Sequence, residues 1–312
     1  IPSGILHPDK VCVIGNGVVV DLEYFFTEIE ELKNRGINPE NRLWVSESAH
    51  LVMPYHKILE ALEEQNRKDK IGTTLRGIGP AYQDKISRIG IRFSDLGDKK
   101  IFEAKVKENL KAKAQILKSY NSKISASKIS QEILKIKNKI KNYVTDTSLF
   151  INQAIKKGEN LLIEGAQGTL LDVDFGTYPF STSSNTTAGG ACTGLGISPK
   201  AIDEIMGVAK AYSTRVGNGP FPTELKDSLG NLLRQKGNEF GATTNRPRRC
   251  GWLDLVILKY AIRINGIDKM VITKLDVLDN IDEIKVCTGY KYKNEILEEF
   301  PQDQRIFEKC KP

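Results

Sequence analysis

Four stretches hold residue types that could handle a phosphorylated, polar ligand. From Asn160 to Gly196 the chain reads NLLIEGAQGTLLDVDFGTYPFSTSSNTTAGGACTGLG. Leu161, Leu162 and Ile163 form a short apolar run that stops at Glu164-Gly165, the pattern of a buried parallel strand meeting a loop. Beyond it lie Gln167 and a loop of Ser181, Thr182, Ser183, Ser184, Thr186, Thr187, Gly189 and Gly190. Short hydroxyls and the N–H groups that glycine leaves open can hold a phosphate or the edge of a polar heterocycle. Composition alone favours an ordinary surface turn here. The stretch GNEFGATTNRPRRCGWLD sets Thr243 and Thr244 before Arg246, Arg248 and Arg249. Guanidinium groups grip carboxylate or phosphate bidentately, whereas a solvated basic turn is the plain alternative. In IGTTLRGIGPAYQDKISRIGIR, Gly72, Gly77, Gly79 and Pro80 make a compact loop carrying Thr73, Thr74 and Arg76. A glycine-punctuated turn explains that loop equally well. Finally, Met270 to Ile272 read as an apolar strand with Thr273-Lys274-Leu275-Asp276 at its C-terminal end. A carboxylate there can accept from guanine N1–H and the 2-amino group together, which adenine cannot offer.

The elements that must position these groups alternate between strand and helix. Val11 to Val20 is a β-rich run interrupted by Gly15-Asn16-Gly17, which fits a tight turn or a close backbone approach. Asp21-Leu22-Glu23 opens a helix with Phe25, Ile29 and Leu32 on one face, ending near Gly36. Residues 42–46 are a second strand candidate, and a helix through Ile58 and Leu62 follows Pro54. A strand precedes the loop Gly217-Asn218-Gly219-Pro220. This alternation predicts an α/β architecture with a mainly parallel sheet. Between Lys99 and Lys157, Phe102, Val106, Leu110, Ala114 and Leu117 recur at helical spacing, as do Ile133, Ile136, Ile140 and Val144, which predicts a helical insert.

That insert also carries much of the net charge of +7. Its lysines fall mainly on outer helix faces, with no interleaved aromatics to stack bases, so a solvated surface explains them better than nucleic-acid binding. The five cysteines are scattered without a C-x-x-C, and His7, His50 and His56 form no H-E-x-x-H, which argues against zinc or a disulfide framework. No apolar run approaches the roughly 20 residues of a membrane span and no secretion signal is visible, so a cytoplasmic protein is expected.

The strings EGAQGTLLD, GTYP and SSNTTAGG, with GTTLRGIGP, GATTNRPRR and TKLD in order, resemble adenylosuccinate synthetase along essentially the whole chain. The resemblance implies one synthetase domain over residues 1–312, incomplete at both ends: a large, mainly parallel central sheet with flanking helices and a helical insert at about 99–157, of P-loop-NTPase-like architecture. It implies that IMP is held by Thr74, Arg88, Gln167, Thr182, Val216 and Arg246, with Gln167 orienting the base. Val216 packing at a strand end is an equally good reading of the residue itself. It implies that L-aspartate is held by Thr243, Thr244, Arg246 and Arg248, and GTP by Arg248, Lys274, Leu275 and Asp276. Arg88 would reach the IMP of a neighbouring subunit, making a homodimer. Leu75 and Asn245 stand where the family usually has glycine.

The activity implied is a ligase reaction of IMP and aspartate, in which the IMP oxygen attacks the GTP γ-phosphate and the aspartate amine then displaces phosphate. Mg2+ and a catalytic aspartate would come from a glycine-rich loop, and a catalytic histidine from the segment after it. Neither string occurs here, so this chain by itself is expected to lack those groups. Two rivals remain: a guanine-nucleotide-binding protein without synthetase activity, and a basic nucleic-acid-binding protein whose affinity falls steeply with salt. Asp276→Asn is expected to weaken GTP binding much more than IMP binding, as read by paired titrations; equal losses would remove Asp276 from its assigned role.

Overall fold

The computed structural model describes residues 1–118, 124–241 and 245–312. They divide into two units, one of Ile1–Arg67, Leu75–Glu164 and Gly190–Ala201, the other of Lys68–Thr74, Gly165–Gly189 and Ile202–Pro312.

In the first unit the β-branched run after Val11 becomes the strands Cys12–Ile14 and Val19–Val20. Cys12–Ile14 pairs in parallel with Leu43–Ser46, which pairs in parallel with Val144–Thr145; Val19–Val20 pairs in parallel with His50–Leu51. The expected close approach is present: a Cβ on Gly17 would lie 2.6 Å from Gly194 Cα, and the Gly17 N–H donates to the Gly194 carbonyl at 2.9 Å. Helix Leu22–Asn34 starts because the Asp21 carboxylate accepts from the Glu23 and Tyr24 N–H groups. Pro54, at the first position of Pro54–Asn66, sits where its missing donor costs nothing.

The lysine-rich stretch forms helices Lys99–Ala112, Ala114–Lys118, Ala126–Lys135 and Lys137–Lys141. Phe102, Val106, Leu117, Ile129 and Ile140 are buried in the same core as Phe25, Ile29, Leu43 and Val45. These helices therefore close the strand layer. Val144 departs from the expected helical face, because the edge of Leu43–Ser46 offers its backbone a ladder partner, Val45.

In the second unit Met206–Lys210 pairs in parallel with Lys269–Thr273. Tyr212–Arg215 pairs antiparallel with Arg249–Asp254, whose far side pairs in parallel with Val286–Cys287. Helix Leu255–Asn265 is capped by the Asp254 carboxylate, which accepts from the Ile257 N–H, and ends at Gly266 with φ 63°. Its buried Val256 and Tyr260 pack in one cluster with Tyr290, Phe300 and Phe307.

The class is α/β with mostly parallel pairings, but among the described residues the strands form small separate sheets rather than one large one. Leu161, Leu162 and Ile163, expected as a buried strand, form no ladder, and Leu162 is 96% exposed. A strand exists through its neighbours' hydrogen bonds, and no described segment pairs with this one. Among the described residues no helix is long and apolar enough to cross a membrane.

Phe102 is fully buried, so Phe102→Ala is expected to cost about 3–5 kcal/mol of stability, read from the urea midpoint of unfolding.

Candidate functional site

The hydroxyl-rich loop owes its shape to one carboxylate. Asp172 is fully buried; its Oδ1 accepts from the Asp174 and Phe175 N–H groups at 2.9 and 3.0 Å, and its Oδ2 from those of Thr186 and Thr187 at 2.6 and 3.2 Å. Burial pushes the Asp172 carboxyl up, but the four backbone donors outweigh it and hold the group below the ordinary range. The two ends of the loop are thereby tied together. Thr182 lies between them, its N–H donating to the Leu171 carbonyl at 2.8 Å and its hydroxyl 3.5 Å from that of Ser184. Thr177 is buried and receives Arg215 Nη2 at 2.9 Å. Gln167 is exposed, with φ 62°.

Three stretches distant in sequence meet beside this loop in the same unit. Arg246 Nη1 donates to the Gly72 carbonyl at 3.0 Å, and Asn218 Nδ2 donates to the Lys70 carbonyl at 2.6 Å. Gly72, with φ 81°, admits this contact: a Cβ there would lie 2.8 Å from Arg246 Nη1. Thr74 is exposed at the end of the 68–74 segment, and Val216, 39% exposed, precedes Gly217 rather than packing away at the strand end. The three arginines do different work. Arg249 is committed to Glu224 through two bonds of 2.7 and 2.6 Å and to the Gly219 carbonyl at 2.8 Å. The Arg248 guanidinium donates one bond to Glu239 and is half-buried, while Arg246 is exposed. Thr243 and Thr244 lie outside the described residues.

At the end of Lys269–Thr273, Lys274 takes φ 62° and its ammonium donates to the Gly237 carbonyl at 2.7 Å. Leu275 and Asp276 follow on a short turn with both side chains exposed.

Arg88 belongs to the first unit. It lines a cavity of about 250 Å3 with His50, Lys85, Arg92 and the ion pair of Lys105 with Asp95. Burial first, then Lys85 and Arg92, push His50 down to about 4, leaving it neutral near pH 7 and the cavity's positive charge on the lysines and arginines.

Left-handed backbone is uncommon outside glycine, yet Leu75, Arg88, Gln167, Asn245 and Lys274 all adopt it. Leu75 and Asn245 are the two positions where a glycine was expected, so the loops keep glycine-like geometry without glycine. Sequence reasoning missed Asp172 and Glu239. Asp172 carried a usable signal, an acidic residue between Leu171 and Val173; Glu239, between Asn238 and Phe240, carried none.

The fold and these loops define an α/β protein that presents amide, hydroxyl, guanidinium and carboxylate groups from strand-end loops. A family model for adenylosuccinate synthetase matches residues 1–312, and the chain belongs to that family of GTP-binding ligases of purine biosynthesis. It is 54% identical to the adenylosuccinate synthetase of Thermodesulfovibrio yellowstonii and 55% identical to that of Geotalea daltonii, in each case over 100% of this chain and 73% of the relative. Among solved structures it is similar to fully ligated adenylosuccinate synthetase from Plasmodium falciparum, with a TM-score of 0.92 and 39% identity over 100% of this chain and 74% of that one. Among the described residues no group of three or more His, Cys, Asp or Glu is disposed to hold a metal ion.

Asp172→Asn is expected to cost about 1–3 kcal/mol at pH 7, because an amide brings donors to face donors. Since the native carboxyl lies below its ordinary value of 3.8, its contribution is present above that pH and is lost as pH falls through the native value. Urea unfolding of both proteins from pH 7 to pH 3 should show the difference shrinking at the acid end; a pH-independent difference would contradict the assignment.

Proposed function

We propose that this chain supplies the binding frame of a ligase that joins IMP to L-aspartate with GTP as co-substrate, giving adenylosuccinate, GDP and phosphate by way of 6-phosphoryl-IMP. The observation that carries this reading is the junction of Gly72, Asn218 and Arg246, which draws together three stretches assigned by resemblance to one nucleotide. Thr74, Gln167, Thr182, Val216 and Arg246 hold IMP. The Gln167 amide offers donor and acceptor to hypoxanthine and needs no particular protonation state. Thr243, Thr244, Arg246 and Arg248 hold the aspartate carboxylates. Arg248, Lys274, Leu275 and Asp276 hold GTP, with Asp276 selecting guanine.

Arg88 of one copy reaches the IMP phosphate of a neighbouring copy in a homodimer, and the cationic cavity it lines suits that anion. Residues 1–312 make up a single synthetase domain with its helical insert at about 99–157. Mg2+ is expected to be held by the family's glycine-rich loop, whose string this sequence does not contain. The frame's contribution is positioning and charge stabilisation: Gln167 orients the base, and Arg246 and Arg248 clamp anions as phosphate is made and displaced.

The test pairs equilibrium binding of GTP and ATP to this chain with adenylosuccinate formation from IMP and L-aspartate once the family's glycine-rich catalytic segment is supplied. GTP is expected to bind in preference to ATP and to be the nucleotide that supports product. Equal use of both nucleotides overturns the reading, and GTP use without dependence on aspartate returns the guanine-nucleotide-binding alternative.

A further inference from the structure

Glu239 is 1% exposed, and its carboxylate collects three side-chain donors. Its Oε2 accepts from Arg248 Nη1 at 2.6 Å and Lys210 Nζ at 2.7 Å, and its Oε1 accepts the Tyr212 hydroxyl at 2.6 Å. Its carbonyl accepts the Arg248 N–H at 2.9 Å, and its own N–H donates to the Arg234 carbonyl at 2.9 Å. Backbone and side chain of Arg248 are thus both held by one residue. The hairpin continues outward with the Gly241 N–H donating to the Arg246 carbonyl at 2.8 Å, so Glu239 and Arg248 form the base from which Arg246 projects.

The same short stretch meets the nucleotide-reading strand end. Two residues before Glu239, the Gly237 carbonyl receives Lys274 Nζ at 2.7 Å, and a Cβ at Gly237 would collide with the Tyr212 hydroxyl that Glu239 binds. Gly237, Tyr212 and Glu239 therefore pack closely against one another. Arg248 uses one N–H on Glu239, and its guanidinium has four more donors. A flexible arginine that must present those donors to an anion gains from having one edge fixed in advance.

From this geometry we infer that Glu239 is a positioning residue that orders the Arg248 guanidinium for L-aspartate and GTP and ties it to Lys274, an inference that rests on the reading of Arg248 given above. Glu239 touches no substrate. Lys210 supplies a second cation to the same carboxylate, so the site stays ion-paired when Arg248 turns toward a ligand. Burial pushes the Glu239 carboxyl up, but Lys210, Tyr212 and Arg248 together hold it below its ordinary range, so the carboxylate stays charged at neutral pH.

The test compares Glu239→Gln, Glu239→Asp, Arg248→Ala and the Glu239→Gln/Arg248→Ala double variant in the full enzyme. Read together are the KM for L-aspartate, the Kd values for GTP and IMP, and the order of the ligand-free Arg248 side chain, from its Nε–H signal in NMR with labelled arginine. Glu239→Gln is expected to raise the aspartate KM about tenfold, to leave the IMP Kd within about twofold and to broaden the Arg248 signal. Glu239→Asp, which keeps the charge on a shorter arm, should recover part of the loss and serves where Glu239→Gln fails to fold. The double variant should be no worse than Arg248→Ala. An unchanged Arg248 signal, losses that multiply in the double variant, or an equal loss for IMP overturns the inference. Absence of aspartate-dependent turnover in the unmutated enzyme would instead remove the reading of Arg248 as a substrate ligand, while the NMR signal still decides whether Glu239 orders it.

Discussion

A carboxylate taken out of water is costly unless donors replace the water, and the second unit is arranged around three that are buried. Asp172 gathers four backbone N–H groups and closes the hydroxyl loop. Glu239 gathers a lysine, an arginine and a tyrosine at the base of the arginine hairpin. Asp254 caps the helix Leu255–Asn265 and accepts the Tyr290 hydroxyl at 2.6 Å. Each carboxylate demands a particular arrangement of chain around it, so the loops carrying the candidate ligand groups have little freedom to collapse elsewhere.

That constraint divides labour among similar residues. Arg249 is saturated by Glu224 and backbone carbonyls, so it braces the strand Arg249–Asp254. Arg248 keeps most of its donors, and Arg246 contributes one bond to Gly72 from an exposed position. Adjacent guanidinium groups thus differ in availability because their neighbours differ. The same holds for acids: Asp276 is exposed at its strand end, whereas Asp172 and Glu239 are consumed by the scaffold.

The helical stretch shows a related coupling in the first unit. Its apolar stripe, Phe102, Val106, Leu117, Ile129 and Ile140, completes the core that begins with Phe25 and Leu43. Burial of that stripe leaves most of the lysines outward, where their charge is solvated, whereas Lys113 turns inward and pairs with the buried Asp84 at 2.8 Å.

Local chemistry was legible from the residues. Helix starts at Asp21 and Pro54, the glycine approach at Gly15-Asn16-Gly17, the strand before Lys274 and the helical faces from Phe102 onward follow from caps, φ preferences and periodicity acting over a few residues. The motifs also sufficed to indicate the family to which the chain belongs. Pairing was not legible. Leu161 to Ile163 have the composition of a buried strand and no ladder, and Val144 has helical spacing and lies in a strand, because backbone hydrogen bonds depend on which edge is adjacent. By itself the sequence determined the family and those local elements that caps, φ preferences and periodicity fix over a few residues. Which arginine is free, which carboxylate is structural and which distant loops meet at Arg246 were decided only by tertiary structure, since burial and partner distance are set by contacts between residues far apart in sequence, such as Gly72 and Arg246, 174 positions apart.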